Sequence, residues 1–227
     1  MLSLFIPDDH RRGGGSPLRA LLLAALWMIV GFPCRAQQSA SVDSSDAGAV
    51  QRGITGLTDR SSARRIDAAT KLGDIAAGDP AAVVIALPAL IHALADSDKV
   101  VQLTVGSVLQ HTGELAVPSL IAALEDGNEQ VRDLASEALG NIGAPAVSAL
   151  TIALSSTKDI VRSGAAHAFV KLDAPAVVAA MPALIAALKD RETGVRWSAA
   201  FALGRGGSRV TQVIPALIDD RSARRPL

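Results

Sequence analysis

Histidines are the side chains of this sequence best suited to metal binding or acid–base catalysis, and they are few. Apart from one near the N-terminus, the chain has His92, His111 and His167, which are well separated. A zinc or iron site needs three or four convergent ligands, and a lone histidine is more often a capping or surface residue. The only cysteine is Cys34, and no serine lies in a nucleophile elbow. We therefore expect no catalytic, cofactor-binding or metal-binding residue, and no cofactor.

The composition also argues against nucleic acid as a ligand. Lysine plus arginine equals aspartate plus glutamate, at 22 each, so no net charge attracts a polyanion. Aromatic residues make up only 3%, too few for a platform on which bases stack. The glycine-rich stretch GRGGSR at 204–209 lacks the GK[ST] ending of a phosphate loop and follows a helical pattern. It is interpreted as a turn between helices.

The N-terminal segment has the pattern of a secretory signal peptide over residues 1–36. Arginines precede an apolar run at 20–32, and cleavage after Ala36 would leave Gln37 as the new N-terminus. The run is shorter than the ~20 residues that a membrane-spanning helix needs, so contact with a membrane is expected only through an uncleaved signal. Lipid attachment at Cys34 stays open. We expect an exported protein, periplasmic or extracellular, in a bacterium.

The elements that must position any site come from a motif that recurs five times. The stretch VRDLASEALGNIG at 131–143 aligns without gaps with 64–76, 101–113, 161–173 and 195–207. Each copy is followed by a second apolar segment, such as VPSLIAAL at 117–124 after the second copy, and most of these begin beside a proline. Repetition at a period near 30 is typical of stacked supersecondary units.

Each unit is predicted to be a pair of helices. Val131, Ala135, Ala138 and Leu139 lie on one helical face, and the second segment is apolar at almost every position. A single pair cannot bury such a surface, whereas stacked pairs can. The sequence therefore predicts an all-α fold, an α-solenoid of about five stacked helix pairs over residues 57–227. Residues 37–56, small and polar, are predicted to be a flexible linker.

The pattern VRxxAxxALGxIG followed by AVPALIxAL resembles the short HEAT-type repeats of phycobiliprotein-lyase-like proteins, over roughly residues 57–225. The resemblance implies the solenoid, but not one activity, because proteins with this repeat include scaffolds, adaptors, chromophore lyases and metal-dependent hydroxylases. The hydroxylases use paired His-Glu dipeptides to hold iron. No histidine of this chain is followed by glutamate.

The resemblance further implies a ladder between units, in which an aspartate meets an arginine or a helix start of the neighbouring unit. A partly buried arginine needs such partners. Gln102 replaces an arginine and Ser156 replaces an aspartate, so the ladder should be interrupted there. The members of this Asp–Arg ladder are Asp59, Asp96, Asp126, Asp190, Arg65, Arg132, Arg162 and Arg196.

We therefore expect an exported, non-catalytic protein–protein interaction scaffold that binds another protein or a second copy of itself. The alternative is an enzyme of the repeat class, similar to the bilin lyases or the metal-dependent hydroxylases. The second helices are expected to form the binding surface. Trp197 and Phe201 lie four residues apart; core packing is the favoured interpretation and a partner anchor is the alternative. The last unit, ending in DDRSARRPL at 219–227, is expected to be incomplete.

Overall fold

The fold consists of helices throughout the part of the chain that can be described. A computed structural model describes residues 44–207, with the side chains from residue 47 onwards. The predicted signal peptide, its cleavage site at Ala36 and Gln37, and the predicted incomplete last unit beyond residue 207 lie outside this range. The α-helices, in chain order, are α1 (Ser44–Gly56), α2 (Ser62–Gly78), α3 (Leu87–Ala93), α4 (Lys99–Thr112), α5 (Val117–Ala123), α6 (Glu129–Ile142), α7 (Val147–Ala153), α8 (Asp159–Lys171), α9 (Ala174–Ala179), α10 (Met181–Ala187) and α11 (Thr193–Arg205). None of these helices is long and apolar enough to span a lipid bilayer.

Long and short helices alternate and stack in register. The long first helices α2, α4, α6, α8 and α11 pack each against the next, and the short second helices α3, α5 and α7 do the same. The predicted all-α solenoid of helix pairs is therefore confirmed. The extra residues between the fourth and fifth copies of the motif form the short helix α9, which Asp173 caps by accepting the amide of Ala176.

Polar caps and glycines set the limits of the first helices. The side chain of Asn128 accepts the amide of Gln130 at the start of α6, and Asp98 does the same for Val100 at the start of α4. Gly143 ends α6 with a φ of 82°, a conformation that other residues adopt only with strain. These features fix the start of α4 and both ends of α6.

The core runs along the stack as rows of equivalent residues. Leucines of four second helices and valines of four first helices occupy equivalent places in their units and are almost completely buried. Each unit thus covers the apolar face of the next, which explains how a chain poor in aromatic residues buries a continuous core. The two rows are Leu90, Leu120, Leu150 and Leu184, and Val101, Val131, Val161 and Val195.

The linker predicted for residues 37–56 is wrong over residues 44–56, which form the helix α1. Val50 in α1 is fully buried in the common core, and Leu57, directly after α1, is also buried there. Gly56 lies so close to α2 that an added Cβ would be 2.6 Å from the Cβ of Ala68. Small residues, which suggested a linker, instead allow α1 to approach α2 and to cover the first unit.

Gly140 lies inside α6, where it faces α8. A Cβ at this position would be 2.6 Å from the Cβ of Lys171 and 2.9 Å from the carbonyl oxygen of Ala168. The missing side chain therefore lets α6 and α8 approach closely. Ser136 adds a hydrogen bond from its hydroxyl to the carbonyl of Gly164, at 2.7 Å, across the same contact.

Candidate functional site

Every joint between units contains a short loop that a side-chain oxygen closes. Asp96 accepts the amide of Asp98, Asp126 accepts the amide of Asn128, and both distances are 2.8 Å. Asp59 and Asp190 bind the amides of Ser61 and Glu192 in the same way. This local hydrogen bond shapes the loop before each first helix and fixes the position of the carboxylate.

The arginine of each unit folds back onto the loop of its own unit. Its Nη1 donates to the carbonyl oxygen six residues earlier, and this bond has the same geometry in four units. The pairs are Arg65 with Asp59 at 3.0 Å, Arg132 with Asp126 at 2.8 Å, Arg162 with Ser156 at 3.0 Å and Arg196 with Asp190 at 2.8 Å. The sequence did not indicate this bond, because its acceptor is a backbone oxygen.

Two arginines also hold the aspartate of the following unit through their remaining edge. The Nε and Nη2 of Arg65 donate to the two carboxylate oxygens of Asp96 at 2.6 and 2.8 Å. Arg162 holds Asp190 in the same way, at 2.7 and 3.1 Å. All four side chains are largely covered. Such bidentate pairs, here called rungs, combine charge with a fixed orientation.

The rungs lower the pKa of both carboxyl groups. Hydrogen bonding from Arg65 is the main reason that the pKa of Asp96 lies below its usual value, and Arg162 has this effect on Asp190. The same pairs raise the pKa of Arg65 and Arg162. The pKa of Asp59 is also lowered, chiefly by the amide of Ser61. These groups are therefore fully charged at neutral pH.

Two joints have no rung, at the two positions where the sequence departs from the pattern. Gln102 replaces the arginine, and its Nε2 donates to the carbonyl of Asp96 at 2.5 Å without reaching Asp126. Ser156 replaces the aspartate, and its hydroxyl accepts the amide of Lys158 at 3.2 Å. Arg132 thus has no carboxylate partner among the described residues.

The two outer members of the predicted ladder form other contacts. Asp59 binds Arg64 of its own unit at 3.3 Å, on the surface. Arg196 donates its Nη2 to the hydroxyl of Thr193 at 2.9 Å.

The three histidines are exposed and lie on different helices, His92 on α3, His111 on α4 and His167 on α8. The Nδ1 of His111 lies 2.8 Å from the carbonyl oxygen of Ser107, one turn earlier in its own helix. Within residues 44–207, no three histidine, cysteine or acidic side chains come together in a group that could hold a metal ion.

Trp197 and Phe201 are not core residues, so the favoured interpretation of their role is wrong. They are 61% and 45% exposed, on the outer face of α11. Their rings stack with centroids 5.3 Å apart and planes inclined by 22°. The repeat alignment contains the signal for this exposure, because Trp197 occupies the register of Asp133 and Ser163, which are also exposed.

A cleft of about 510 Å³ crosses three consecutive first helices beside this aromatic pair. Helix α6 contributes Arg132 with Glu129 and Asp133, and α11 contributes Trp197. The middle helix α8 contributes Ile160, Ser163, Gly164 and His167. The volume is in the range of sites that hold small ligands or a few side chains of a peptide.

The cleft beside the aromatic pair lies between first helices and not between second helices. Two further clefts likewise lie between α1 and α2 and between α4 and α6. The second helices present prolines, alanines and isolated residues such as His92 and Ile152. These clefts therefore do not support the expectation that the second helices form the binding surface.

A family model for HEAT repeats matches residues 87–170, from the start of α3 to the last turn of α8. This segment is similar to HEAT repeats. The matched segment includes Gln102, Arg132, Ser156 and Arg162, so both joints without a rung lie within it. No curated protein matches the sequence.

Several solved structures are similar to this chain. An engineered protein is 24% identical, with a TM-score of 0.37, over 74% of this chain and 84% of that one. A designed armadillo repeat protein in complex with the peptide (KR)4 is 20% identical, with a TM-score of 0.35, over 72% of this chain and 84% of that one. A computationally designed armadillo repeat protein for modular peptide recognition is 22% identical, with a TM-score of 0.34, over 71% and 83%.

Proposed function

We propose that this chain is a non-catalytic scaffold that binds another protein through the exposed face of its first helices. The observation that carries the proposal is the exposed, stacked pair of Trp197 and Phe201, of which Trp197 lines the cleft formed by α6, α8 and α11. A solenoid supplies an extended surface for binding. Within residues 44–207, Trp197 and Phe201 are the exposed aromatic side chains of that surface.

The energetics of aromatic side chains favour a role in binding. An exposed Trp or Phe offers a large apolar area with only two rotatable bonds, so a partner gains much burial and loses little side-chain entropy. Tryptophan is enriched among residues that dominate binding energy. Ile160 lies in the same cleft and is also exposed, which extends the apolar surface from α11 to α8.

The joints between units make this surface rigid. The rung between Arg162 and Asp190 connects α8 to the loop that leads into α11. The close contact at Gly140 connects α6 to α8. Side chains from three units therefore keep a fixed relative position, which lowers the entropy lost on binding.

The finer parts of the proposal rest on the sequence. The arginines and the apolar run at 20–32 are typical of a signal peptide, so the protein is proposed to act in the periplasm or outside a bacterial cell. The motif at 131–143 supports the phycobiliprotein-lyase-like type of HEAT repeat. The placement of His92, His111 and His167 on separate helices supports the absence of catalysis.

Affinity capture tests the proposal, with the full chain as bait and the exported protein fraction as the source of partners. The bait is compared with a Trp197→Ala/Phe201→Ala variant and with Ile152→Ala, which removes a 73% exposed side chain from the second helix α7. The expected result is a partner recovered equally by wild type and Ile152→Ala, and reduced roughly tenfold or more by the double variant. Thermal melting of all three baits controls for folding.

Equal recovery by all three baits would contradict the proposed surface. Light scattering separates the partner from a second copy of the chain, because a dimer that Trp197→Ala dissociates would contradict binding of another protein. Stoichiometric metal or bound pigment in the purified protein would contradict the non-catalytic part of the proposal.

A further inference from the structure

We propose that the cleft binds a peptide segment of the partner that carries one acidic side chain next to an apolar one, and that Arg132 binds its carboxylate. This inference rests on the proposed function and adds the chemistry of the partner. Arg132, Ile160 and Trp197 are the residues that recognise the segment.

Arg132 is held in the same way as the two arginines that do bind a carboxylate. Its Nη1 donates to the carbonyl oxygens of Asp126 at 2.8 Å and of Gly127 at 3.3 Å. Arg162 donates to the carbonyl oxygens of its own loop at 3.0 and 3.3 Å. The guanidinium is therefore fixed before any ligand arrives, so little side-chain entropy is lost on binding.

The Nε and Nη2 edge of Arg132 differs from the same edge of Arg162 in its partners. In Arg162 the Nε and Nη2 hold the two oxygens of Asp190. For Arg132, the equivalent position in the following unit is occupied by Ser156 and not by an aspartate. The hydroxyl of Ser156 accepts the amide of Lys158. Among the described residues, no acceptor fills this edge of Arg132. A planar fork of two donors matches one carboxylate.

The neighbouring acidic residues limit the ligand to a single carboxylate. Glu129 and Asp133 line the same cleft and would repel a run of acidic side chains. A single carboxylate is compatible with such neighbours. In the next unit Asp159 occupies the position of Glu129, and Arg162 still binds the carboxylate of Asp190. The segment is thus expected to be mildly acidic and not polyacidic.

The remaining part of the cleft is suited to an apolar side chain. Trp197 and Ile160 offer exposed apolar surface, and Gly194 presents no side chain. A Cβ added at Gly194 would meet only the hydroxyl of Ser163, at 3.7 Å, so the space above it is open. A peptide can therefore place a carboxylate at α6 and an apolar group at α11.

Selection from a displayed library of random short peptides, with the full chain as the target, provides the probe. The best peptide is synthesised with its acidic residue and with the corresponding amide, and its affinity is measured by calorimetry. The target variants are Ser156→Asp, which fills the fork from within, Arg132→Gln, which copies Gln102, and Ile152→Ala as the control. Ser156 does not line the cleft, so Ser156→Asp leaves its walls intact.

The proposal predicts that selected peptides share one acidic residue beside an apolar residue. Replacing the acid by its amide, or introducing either Ser156→Asp or Arg132→Gln, should each weaken binding roughly tenfold or more, and Ile152→Ala should not. Peptides that need Trp197 but tolerate the amide and Ser156→Asp would overturn this inference and leave the proposed function intact. A selection that yields no peptide dependent on Trp197 would contradict both.

Discussion

Arg162 and Asp190 lie 28 residues apart in sequence and form a two-pronged ion pair, with Nε–Oδ2 and Nη2–Oδ1 distances of 2.7 and 3.1 Å. The same guanidinium donates to the carbonyl of Ser156 in its own loop. One side chain therefore connects the loop before α8 to the loop before α11. Since Arg65 repeats this arrangement with Asp96, the ion pair is a property of the repeat and not of one site.

Removing the arginine of a rung should destabilise the fold. Arg162→Ala leaves the carboxylate of Asp190 and two loop carbonyls without a side-chain partner, so we expect a loss of about 2 kcal/mol. The measurement is urea denaturation followed by circular dichroism. Arg64→Ala is the control, because Arg64 is exposed and its contact with Asp59 lies on the surface. Equal effects of the two substitutions would contradict the structural role of the rung.

The rungs should make stability depend on acid pH. The folded pKa of Asp190 lies below its unfolded value, so its contribution to stability is complete above the unfolded pKa of about 4 and is lost as the pH falls through the folded pKa. The free energy of unfolding is to be measured from pH 7 to pH 2, for wild type and Asp190→Asn. The difference between them should be largest at neutral pH and should shrink below about pH 4. A difference that is constant with pH would show that the charge of Asp190 contributes nothing.

Two glycines inside first helices should respond to alanine in opposite directions. Gly140→Ala places a Cβ 2.6 Å from that of Lys171, so α6 and α8 must separate, at an expected loss of about 1–3 kcal/mol. Gly106 in α4 has no atom within 4 Å of the added Cβ, and Gly106→Ala should stabilise the helix by up to about 1 kcal/mol. Thermal melting of both variants gives the comparison. If Gly106→Ala destabilised the protein as Gly140→Ala does, the close contact between α6 and α8 would not explain the effect at Gly140.

The sequence predicted the architecture because the architecture is repetitive. Five aligned copies locate the core rows, the turns and the joints, and an interruption at Gln102 or Ser156 is visible as a departure from the other copies. The structure places a bidentate pair where both partners are present, at Arg65 and at Arg162, and no such pair at these two departures.

The features that the sequence did not predict depend on contacts between elements, which the repeat pattern does not encode. Helix α1 has too few apolar residues for a periodic pattern, and its docking depends on Val50 and on the close approach at Gly56. The exposure of Trp197 was misjudged from residue type, although its register is that of Asp133 and Ser163. The cleft could not be predicted, since it depends on the relative position of three helices.

Rungs join the units of this fold, and Arg132 has no carboxylate with which to form one among the described residues. The most direct measurement is a double-mutant cycle of thermal stability with Ser156→Asp and Arg132→Gln. Ser156→Asp alone should raise the melting temperature by about 2–4 °C, because it supplies the missing carboxylate, and should give no gain in the Arg132→Gln background. An equal effect of Ser156→Asp in both backgrounds, or a loss of stability with Arg132 present, would contradict an unfilled rung at Arg132.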